Sequence, residues 1–457
     1  MRDSLLLCLL LLAVASPLRA QDGWFDSGFG NGGRIVLPVG GVFDDMRTVR
    51  VQPDGKFLLA GDCVRELPTG QRLTYFCLAR VRPDGQFDYG FGPAGLGYLL
   101  SDQLALAGIS FELVALALLP DGRIVVAGNS SNSPPVVVVI KADGSAVEAT
   151  TTITFNPAAA GASLVKHLDT LPNGRILAVG SSPSAAGVGT DFAVMRLSAN
   201  LAVDTTFGSG GVAYAGFVAD PTVRHALADT AAVQADGRIV LAGRARRSDG
   251  TDDFAVARLL ASGQRDVSFN GSGRSMYDMA DDDTARVVAI DRRGRIVVAG
   301  YGQPYAVGGW GYDFIINRLL PNGTQDPGFG NGGPVDPLLD FGGDNWDVLY
   351  AMRLQGDGKI LLAGYSQYSD TQRVFSLARL DEDGTQDQSF GSSGASYGVF
   401  EPGTASVVEA EGIGMVLGPR GLYVFGNARH HFPSQSLQSF GMARLTLNSI
   451  FADGFDP

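Results

Sequence analysis

The side chains that could carry out chemistry are few and scattered. The histidines are His167, His225, His430 and His431, and none has metal-ligand spacing with another histidine or with a cysteine. The sequence contains no Gly-x-Ser-x-Gly nucleophile motif and no Gly-x-Gly-x-x-Gly loop between a strand and a helix. We therefore predict no catalytic residue and no metal ligand, and an enzyme is the less favoured class.

Two long loops, 301–313 and 334–347, carry aromatic side chains beside carboxylates. Aromatic rings of this kind stack on sugars or peptides, with polar groups alongside to fix orientation. The predicted ligand-binding residues are Tyr301, Tyr305, Trp310, Tyr312, Asp344, Trp346 and Asp347. The alternative is that these rings only pack their own loops.

The loops interrupt an internal repeat of about sixty residues. Its first motif is a turn, usually Asp-Gly, followed by an apolar run that closes on glycine, as in DGRIVLAG at 236–243. Asp-Gly between apolar runs favours a hairpin, because glycine accepts the positive φ of the turn. The closing glycines are Gly61, Gly128, Gly180, Gly243, Gly300, Gly364 and, in a degenerate copy, Gly426.

Two further motifs follow in each unit. The second resembles FAVARL and stands at 76–81, 136–141, 192–197, 254–259, 314–319, 375–380 and 440–445. The third is Asp-x-x-Phe-Gly, at 26–30, 88–92, 204–208, 326–330 and 387–391, with 266–270 and a weak Phe155-Asn156 in the remaining slots. Seven units of four short strands predict an all-β, seven-bladed β-propeller of four-stranded blades. A linear solenoid would need polar caps at both ends, which the sequence lacks.

The order DGKILLAG, FSLARL, DGTQDQSFG resembles the delta-60 repeat family of bacterial secreted proteins, over residues 24–445. The motif order is also similar to that of NHL-type blades. The latter resemblance implies that the strand before Asp-Gly is innermost and the Phe-Gly strand outermost. The family resemblance implies a propeller in an exported protein and no established activity.

The two ends of the repeat region complement each other. The first repeat begins at the third motif, so residues 33–38 form an outer strand without a blade, whereas the last blade, residues 406–445, lacks an outer strand. We expect residues 33–38 to pair antiparallel with residues 440–445. Such pairing closes the propeller and hides two strand edges.

A charged pair repeats with the strands. An arginine in the third strand is followed eight residues later by an aspartate in Arg80/Asp88, Arg196/Asp204, Arg258/Asp266, Arg318/Asp326 and Arg379/Asp387. Lys141 replaces the arginine in the second repeat, and Arg444 has no aspartate at Ala452. Because both partners repeat together, we predict structural ion pairs that brace the outer hairpins. The alternative is a ring of guanidinium groups for an anionic ligand.

Carboxylates also stand near the starts of the innermost strands. They are Asp45, Glu112, Asp229, Asp283, Asp347 and Glu411. They either attract a cation to the mouth of the central channel or bond nearby backbone N–H groups in turns. No other cofactor is expected, because the acidic turn at 381–384 lacks the further acids and final glutamate of a calcium loop.

Residues 1–20 have the features of a secretory signal peptide, with a charged start, an apolar run at 5–15 and a small residue at Ala20. Cleavage after Ala20 is favoured, and cleavage after Ala15 is the competitor. Export exposes a protein to oxidising conditions. We therefore predict a disulfide between Cys63 and Cys77, with their Cβ atoms opposed across a hairpin and the 62–76 loop closed by the bond. Two buried thiols are the alternative.

Composition limits the partners. The net charge is -12, and the 31 arginines and 4 lysines form no basic run, so nucleic acid is not expected. No segment after the signal peptide is apolar and long enough to span a membrane.

Residues 21–447 are therefore interpreted as a monomeric propeller in the periplasm, at the cell surface or in the medium. We expect it to bind an extracellular or cell-envelope protein or polysaccharide through its variable loops. An extracellular hydrolase or lyase with its active site on the loop face is the alternative. The tail, 448–457, is either a C-terminal tag or a decayed repeat motif.

Overall fold

The structure is a computed structural model. It describes residues 22–103, 111–131, 133–158, 163–184, 189–279, 281–303, 311–333, 346–369, 372–401, 408–418, 420–432 and 435–447. The expected signal peptide and the tail lie outside the described residues. Within these ranges, no helix is long and apolar enough to cross a membrane.

The described chain folds into antiparallel sheets whose strands follow one another in sequence. Sheet I contains β2 (Phe43–Val51), β3 (Phe57–Glu66), β4 (Arg72–Val81) and β5 (Tyr98–Leu100). Sheet II contains β6 (Glu112–Leu118), β7 (Ile124–Asn129), β8 (Val136–Ile140) and β9 (Val147–Thr152). Sheet III contains β10 (Leu164–Thr170), β11 (Ile176–Pro183), β12 (Thr190–Leu197) and β13 (Val212–Tyr214). Sheet IV contains β14 (Val223–Val233), β15 (Ile239–Arg247), β16 (Asp252–Leu259) and β17 (Arg274–Tyr277).

The remaining strands complete the pattern. Sheet V contains β18 (Asp283–Ile290), β19 (Ile296–Gly302) and β20 (Asp313–Leu319). Sheet VI contains β21 (Asp347–Leu354), β22 (Ile360–Ser369), β23 (Gln372–Leu380) and β24 (Ala395–Gly398). Sheet VII contains β25 (Val408–Gly418), β26 (Gly421–Phe432), β27 (Gln435–Leu445) and the N-terminal β1 (Arg34–Leu37). Short 3₁₀ turns cover Ser101–Gln103, Phe217–Ala219 and Gly330–Gly332. The chain therefore has an all-β, propeller-like fold with several four-stranded sheets.

The hydrophobic core is divided among the sheet interfaces. Each cluster of buried apolar side chains lies between two sheets that are consecutive in the chain, from I and II through VI and VII. A further cluster lies between sheets VII and I. The first strands of sheets I to VII are β2, β6, β10, β14, β18, β21 and β25. Each contacts the first strand of the following sheet, and β25 of sheet VII contacts β2 of sheet I. Burial between sheets explains why the apolar runs of the repeat face both sides.

The closing glycine of each repeat faces a bulge. In every described first strand the register shifts by one residue opposite this glycine, as between Ala228 and Thr230 opposite Gly243. A Cβ on Gly243 would come within 2.0 Å of the Leu227 carbonyl oxygen. Glycine is therefore required because the bulged backbone approaches too closely for any side chain.

Residues of the N-terminal segment complete sheet VII. Arg34 lies opposite Ala443 and Leu37 opposite Phe440 in an antiparallel pair. The pairing expected of residues 33–38 is thus present for Arg34–Leu37. Sheets VII and I also share one parallel pair, between Phe43 and Gln438.

The second repeat departs from the predicted order. Its fourth strand, β9, follows a short turn directly and precedes Phe155, so Phe155-Asn156 does not occupy the slot assigned to it. Without an Asp-x-x-Phe-Gly segment, the N–H of Lys141 donates to the Ala146 carbonyl and the chain turns back at once. Phe155 is buried instead in the core between sheets II and III.

A guanidinium–carboxylate pair recurs in every sheet except sheet II, where Lys141 replaces the arginine, and Arg258 is the representative. Its Nε lies 2.7 Å from the Asp266 carboxylate, and one terminal nitrogen donates to the Pro321 carbonyl in the following sheet's turn. The other terminal nitrogen donates to the Ser268 hydroxyl, and the guanidinium lies over the Phe269 ring at 5.0 Å. We call this arrangement the sheet clamp. It uses the whole Asp-x-x-Phe motif to hold two sheets together.

The sheet clamp recurs along the chain. Equivalent pairs are Arg80–Asp88 at 2.8 Å, Arg196–Asp204 at 2.9 Å, Arg318–Asp326 at 2.7 Å, Arg379–Asp387 at 2.6 Å and Arg444–Asp26 at 2.8 Å. A second cation, from the Lys or Arg after Asp-Gly, reaches the same aspartate, as Lys359 does at 3.0 Å from Asp387. Sequence reasoning did not assign that cation a role, although the position recurs as DGK or DGR.

The clamp also explains the residue after phenylalanine. The N–H of this residue donates to the next sheet's turn, as from Gly208 to Ser262, and its φ is positive. Asn270 fills this position in sheet IV with a φ of 46°, which asparagine tolerates better than most side chains.

The last clamp uses the N-terminal segment. Where a turn of sheet VII would follow, Asp22 lies 2.7 Å from Arg379, and its carbonyl accepts from the N–H of Gly391. The N–H of Gly23 donates to the Thr446 carbonyl, so the two ends of the described chain are hydrogen-bonded. Arg444, without an aspartate at Ala452, pairs with Asp26.

The disulfide between Cys63 and Cys77 is present, with Cα atoms 5.8 Å apart, and the prediction of a bond is confirmed. The predicted register was wrong. Cys63 lies opposite Tyr75 and Cys77 opposite Gly61, so the cysteines are diagonal neighbours. The expected 62–76 loop is also largely strand, because β3 and β4 pair as far as Glu66 and Arg72. The bond therefore links two paired strands in the core.

Removing one partner of a buried clamp should cost stability. In Arg258→Ala, the buried Asp266 loses its buried cation and keeps the 3.0 Å ion pair with the more exposed Arg238 and the hydrogen bonds from Ser268. We expect the free energy of unfolding to fall by about 3 kcal/mol. Thermal and urea unfolding measure the loss, with Arg72→Ala, an exposed pair with Glu66, as the control. Equal melting temperatures for the two variants would contradict a stabilising clamp.

Deleting residues 21–40 should destabilise the whole described domain. The deletion removes β1, the Asp22 and Asp26 contacts and the buried Phe29 and Leu37, each of which contributes about 1.5–3 kcal/mol by burial. We expect one cooperative transition at a much lower temperature, measured by circular dichroism. Deletion of Gln21 alone is the control. A melt unchanged by the long deletion would show that the N-terminal segment is dispensable.

Candidate functional site

Three of the predicted ligand-binding residues come together in the structure. Tyr301 lies in β19, Tyr312 directly precedes β20, and Trp346 directly precedes β21. The ring centroids of Tyr301 and Tyr312 are 5.3 Å apart, and those of Tyr312 and Trp346 are 5.1 Å apart, both edge to face. We call these three residues the aromatic cluster. Trp346 is 40% exposed, so the cluster reaches solvent.

The backbone fixes the aromatic cluster across two sheets. Tyr312 and Trp346 form a parallel bridge, and the N–H of Asp347 donates to the Tyr312 carbonyl at 2.6 Å. The N–H of Gln367 donates to the Trp346 carbonyl. Asp347 is buried, whereas the neighbouring Trp346 is exposed. The predicted residues Tyr305, Trp310 and Asp344 lie outside the described residues.

A pocket of about 280 Å³ lies between sheets III and IV. Its lining is formed by Thr190, His225, Leu227, Arg244, Arg246 and Asp252, and we call it the arginine pocket. Arg244 donates to the Thr284 hydroxyl at 3.5 Å, and Thr284 lies opposite Tyr301 in the sheet. Burial, followed by Asp282 and Tyr301, raises the pKa of Tyr312, and the charges of Arg244 and Asp252 act on the same hydroxyl.

The arginine pocket holds more positive than negative side chains. Arg246 lies 3.4 Å and Arg244 lies 3.7 Å from the single Asp252 carboxylate. Both arginines are partly exposed, so N–H groups remain for a ligand. His225 accepts the N–H of Thr190 through Nδ1 at 3.3 Å. The pocket therefore presents guanidinium donors and an imidazole, and Thr284, which Arg244 contacts, connects it to the strand that carries Tyr301. Sequence reasoning missed it, because its residues come from four strands of two sheets, III and IV.

A chain of cation–aromatic contacts continues from the aromatic cluster along the first strands. The Arg286 guanidinium lies 5.5 Å from the Tyr301 ring, 5.7 Å from the Tyr350 ring and 3.3 Å from Asp229. Arg286 and Tyr350 are both the bulged residues of their strands. The bulge therefore turns a repeated backbone feature into positions where non-repeated side chains meet.

The six carboxylates near the first strands do not form one ring. Asp283 and Asp347 are buried and lie opposite Gly302 and Ser366. Asp45, Glu112 and Glu411 lie one position further along, and Asp229 is a bulged residue.

Two kinds of contact engage these groups. Asp283 accepts the N–H of Met279, as Asp44 accepts that of Val39, which is the turn chemistry considered from the sequence. Asp45 pairs with Arg47 at 3.0 Å and Glu411 with Arg373 at 2.8 Å. Among the described residues, no group of three or more histidine, cysteine or acidic side chains is arranged to hold a metal. The cation interpretation stays a prediction.

Comparison with known proteins identifies the repeats. Segments 119–145, 171–207, 234–269, 294–329 and 355–390 match the family model described as "Domain of unknown function (DUF5122) beta-propeller". The repeats are β-propeller repeats. Four of the five matched segments end at the phenylalanine of Asp-x-x-Phe, so they include the parts that build the sheet clamp, whereas 119–145 ends before any such motif. No curated protein matches the sequence.

Solved propellers resemble the chain over most of its length. They include the Dos1 propeller, with 8% identity over 93% of this chain and 95% of that chain and a TM-score of 0.45. The β-propeller domain of the Trilobed protease from Pyrococcus furiosus has 10% identity over 90% and 99%, with a TM-score of 0.43. An ulvan lyase bound to -[GlcA(1-4)Rha3S]- has 12% identity over 93% and 96%, with a TM-score of 0.43. At these levels of similarity none of them bears on function.

Asp44 should make stability depend on pH. Burial raises the pKa of Asp44 to about 6, against the bonds from Val39 and Gly41. Because folding raises the pKa of Asp44, the contribution of this carboxyl to the free energy of unfolding is fully present below the unfolded-state pKa near 3.8. It is lost as the pH rises through 6. We expect the free energy of unfolding of Asp44→Asn, relative to that of wild type, to rise by on the order of 1 kcal/mol per pH unit between pH 5 and 6. Thermal melts from pH 5 to 7 measure the difference, with Asp54→Asn as the exposed control. A constant offset across this range would contradict the raised pKa.

Proposed function

We propose that the protein is an exported, seven-bladed β-propeller whose loop face binds a polymer, with sheets I to VII as the blades. Three observations support a closed ring. Core clusters lie at every consecutive sheet interface, including VII and I. The first strand β25 contacts β2. The N-terminal strand β1 supplies the outer strand of sheet VII.

The sequence favours an exported protein. Residues 1–20 have the composition of a secretory signal, and the first residues after them take part in the last sheet clamp. The Cys63–Cys77 disulfide accords with an oxidising compartment. The periplasm, the cell surface and the medium are alternatives within this proposal.

The observation that carries the binding proposal is the aromatic cluster beside the arginine pocket. Tyr and Trp rings offer flat faces with polar edges, which suit the alternating C–H and hydroxyl surfaces of a sugar ring. Guanidinium groups offer several N–H donors in a fixed plane, which suit carboxylate or sulfate groups. A polysaccharide with acidic groups therefore fits this surface better than a neutral apolar peptide does.

Binding should depend on both parts of the surface. The mature protein should bind acidic polysaccharides on a combined glycan and peptide array. Trp346→Ala should weaken the strongest interaction about tenfold, because a stacked ring contributes about 1 kcal/mol or more. Arg244→Ala with Arg246→Ala should reduce binding of acidic glycans more than of neutral ones.

Tyr89→Ala and Arg72→Ala are the matched controls, because both residues are exposed and lie on sheet I and its loops. Retained affinity in both loop-face variants would overturn the proposal. Preferential binding of peptides would replace the polysaccharide with a protein partner.

A second candidate function is an extracellular hydrolase or lyase. His225 and Asp252 line the same pocket, and the charge of His225 acts on the Asp252 carboxyl. An imidazole beside guanidinium groups can accept a proton while the cations stabilise developing negative charge. Activity screening against polysaccharides and esters, with His225→Gln as the variant, tests this candidate. Turnover that survives His225→Gln would exclude the residue as the base.

A further inference from the structure

Two arginines on the first strands have no carboxylate within ion-pair distance among the described residues. Arg50 donates to the Thr48 hydroxyl at 3.3 Å and to the Val49 carbonyl at 3.0 Å. Arg353 donates to the Met352 carbonyl at 3.0 Å. These contacts are confined to their own strands and use only one terminal nitrogen of each guanidinium. Both side chains are partly buried, and burial lowers the pKa of each.

Arg50 and Arg353 occupy the same level of the fold. Each is the third residue after the bulge of its first strand, in β2 and β21 respectively. The corresponding residues of the other first strands are Ala117, Asp169, Ala232, Ala289 and Val416. Four of these five side chains are small and apolar, so the level combines charge with space.

The charged groups at this level act on one another across non-adjacent sheets. Arg50 belongs to sheet I, whereas Arg353 belongs to sheet VI, and sheet VII lies between them in the chain order. After burial, Arg50 is the charge that lowers the pKa of Arg353. Arg50 also acts on His167 and Asp169 of sheet III. Such cross-sheet coupling is expected of side chains that converge on the central channel of the proposed ring.

The balance of charge at this level is positive. Burial, followed by the charge of Arg50, lowers the pKa of His167 to about 3, so its imidazole is neutral near pH 7. Among the described residues, Asp169 is the acidic group whose charge acts on Arg50, and its Oδ1 accepts the N–H of Thr170. Two partly buried cations with one acidic neighbour are costly unless a further anion joins them.

We propose that the central channel binds a small oxyanion between Arg50 and Arg353, with His167 as an additional hydrogen-bond partner. Phosphate, sulfate and carboxylate share the required chemistry, because each presents several acceptor oxygens to planar guanidinium forks. This site is separate from the loop-face surface and uses none of its residues. It relies on the proposed ring only for the convergence of the first strands.

Inorganic phosphate tests the site directly. At pH 7 and constant ionic strength, millimolar phosphate replacing chloride should raise the melting temperature of the mature protein by several degrees, with saturation. Calorimetric titration of phosphate should give one site per chain. Sulfate and acetate arms then distinguish a tetrahedral from a planar anion.

Variants separate binding from folding. In Arg50→Gln with Arg353→Gln, the phosphate-dependent rise should vanish, whereas Arg72→Gln should keep it. In chloride alone the double variant should melt at or above wild type, because two facing cations no longer repel. If the double variant does not fold, each single variant should bind phosphate at least tenfold more weakly in the same titration.

The two proposals fail independently. Trp346→Ala should keep phosphate binding, and the double arginine variant should keep binding of the loop-face polymer. Equal phosphate stabilisation of wild type and the double variant would overturn the channel site, as would the absence of any saturable effect of phosphate, sulfate or acetate on wild type.

Discussion

The sheet clamp is the interaction on which the rest of the structure depends. A sheet of four short strands buries too little apolar surface to be stable alone, so each must adhere to its neighbours. Apolar packing between sheets does not fix their relative orientation, whereas the hydrogen bonds of the Arg258 guanidinium are directional. It joins Asp266 in its own sheet, the Phe269 ring beneath it and the Pro321 carbonyl of the next sheet. The clamp thus fixes how consecutive sheets meet, and its repetition fixes the order of the array.

The N-terminal segment supplies the parts of the clamp that are missing after β27. Asp22 and Gly23 occupy the place that a turn of the next sheet would fill, and Asp26 provides the carboxylate that Arg444 lacks in sequence. In the clamps whose aspartate follows the arginine by eight residues, the pKa of the aspartate lies below the usual carboxyl value. The Thr206 hydroxyl and N–H, with Arg196, lower the pKa of Asp204 to about 2, so the clamp stays charged over a wide pH range. Asp26, which lies 418 residues before Arg444 in the sequence, thereby completes the last of these pairs.

The proposed binding sites lie where the repeat is broken. The closing glycine and the bulge are repeated, but the bulged residue itself varies, as Arg286 and Tyr350 illustrate. The same holds three residues later, where Arg50 and Arg353 stand in place of the alanine found in three of the other first strands. A repeated backbone therefore presents non-repeated side chains at defined positions.

The sequence alone determined the all-β repeat, the clamp pairs, the Cys63–Cys77 bond and the pairing of the N-terminal strand, because each is written in local spacing that recurs. It also selected Tyr301, Tyr312 and Trp346, since aromatics in long loops stand out from a repeat. Only the tertiary structure decided the diagonal register of the cysteines and which of the six carboxylates share one register position. It also decided where the fourth strand of the second repeat lies relative to Phe155. Nothing in the sequence likewise indicated the arginine pocket or the equivalent positions of Arg50 and Arg353. Their residues belong to different sheets, and proximity across sheets arises from packing, which no local spacing encodes.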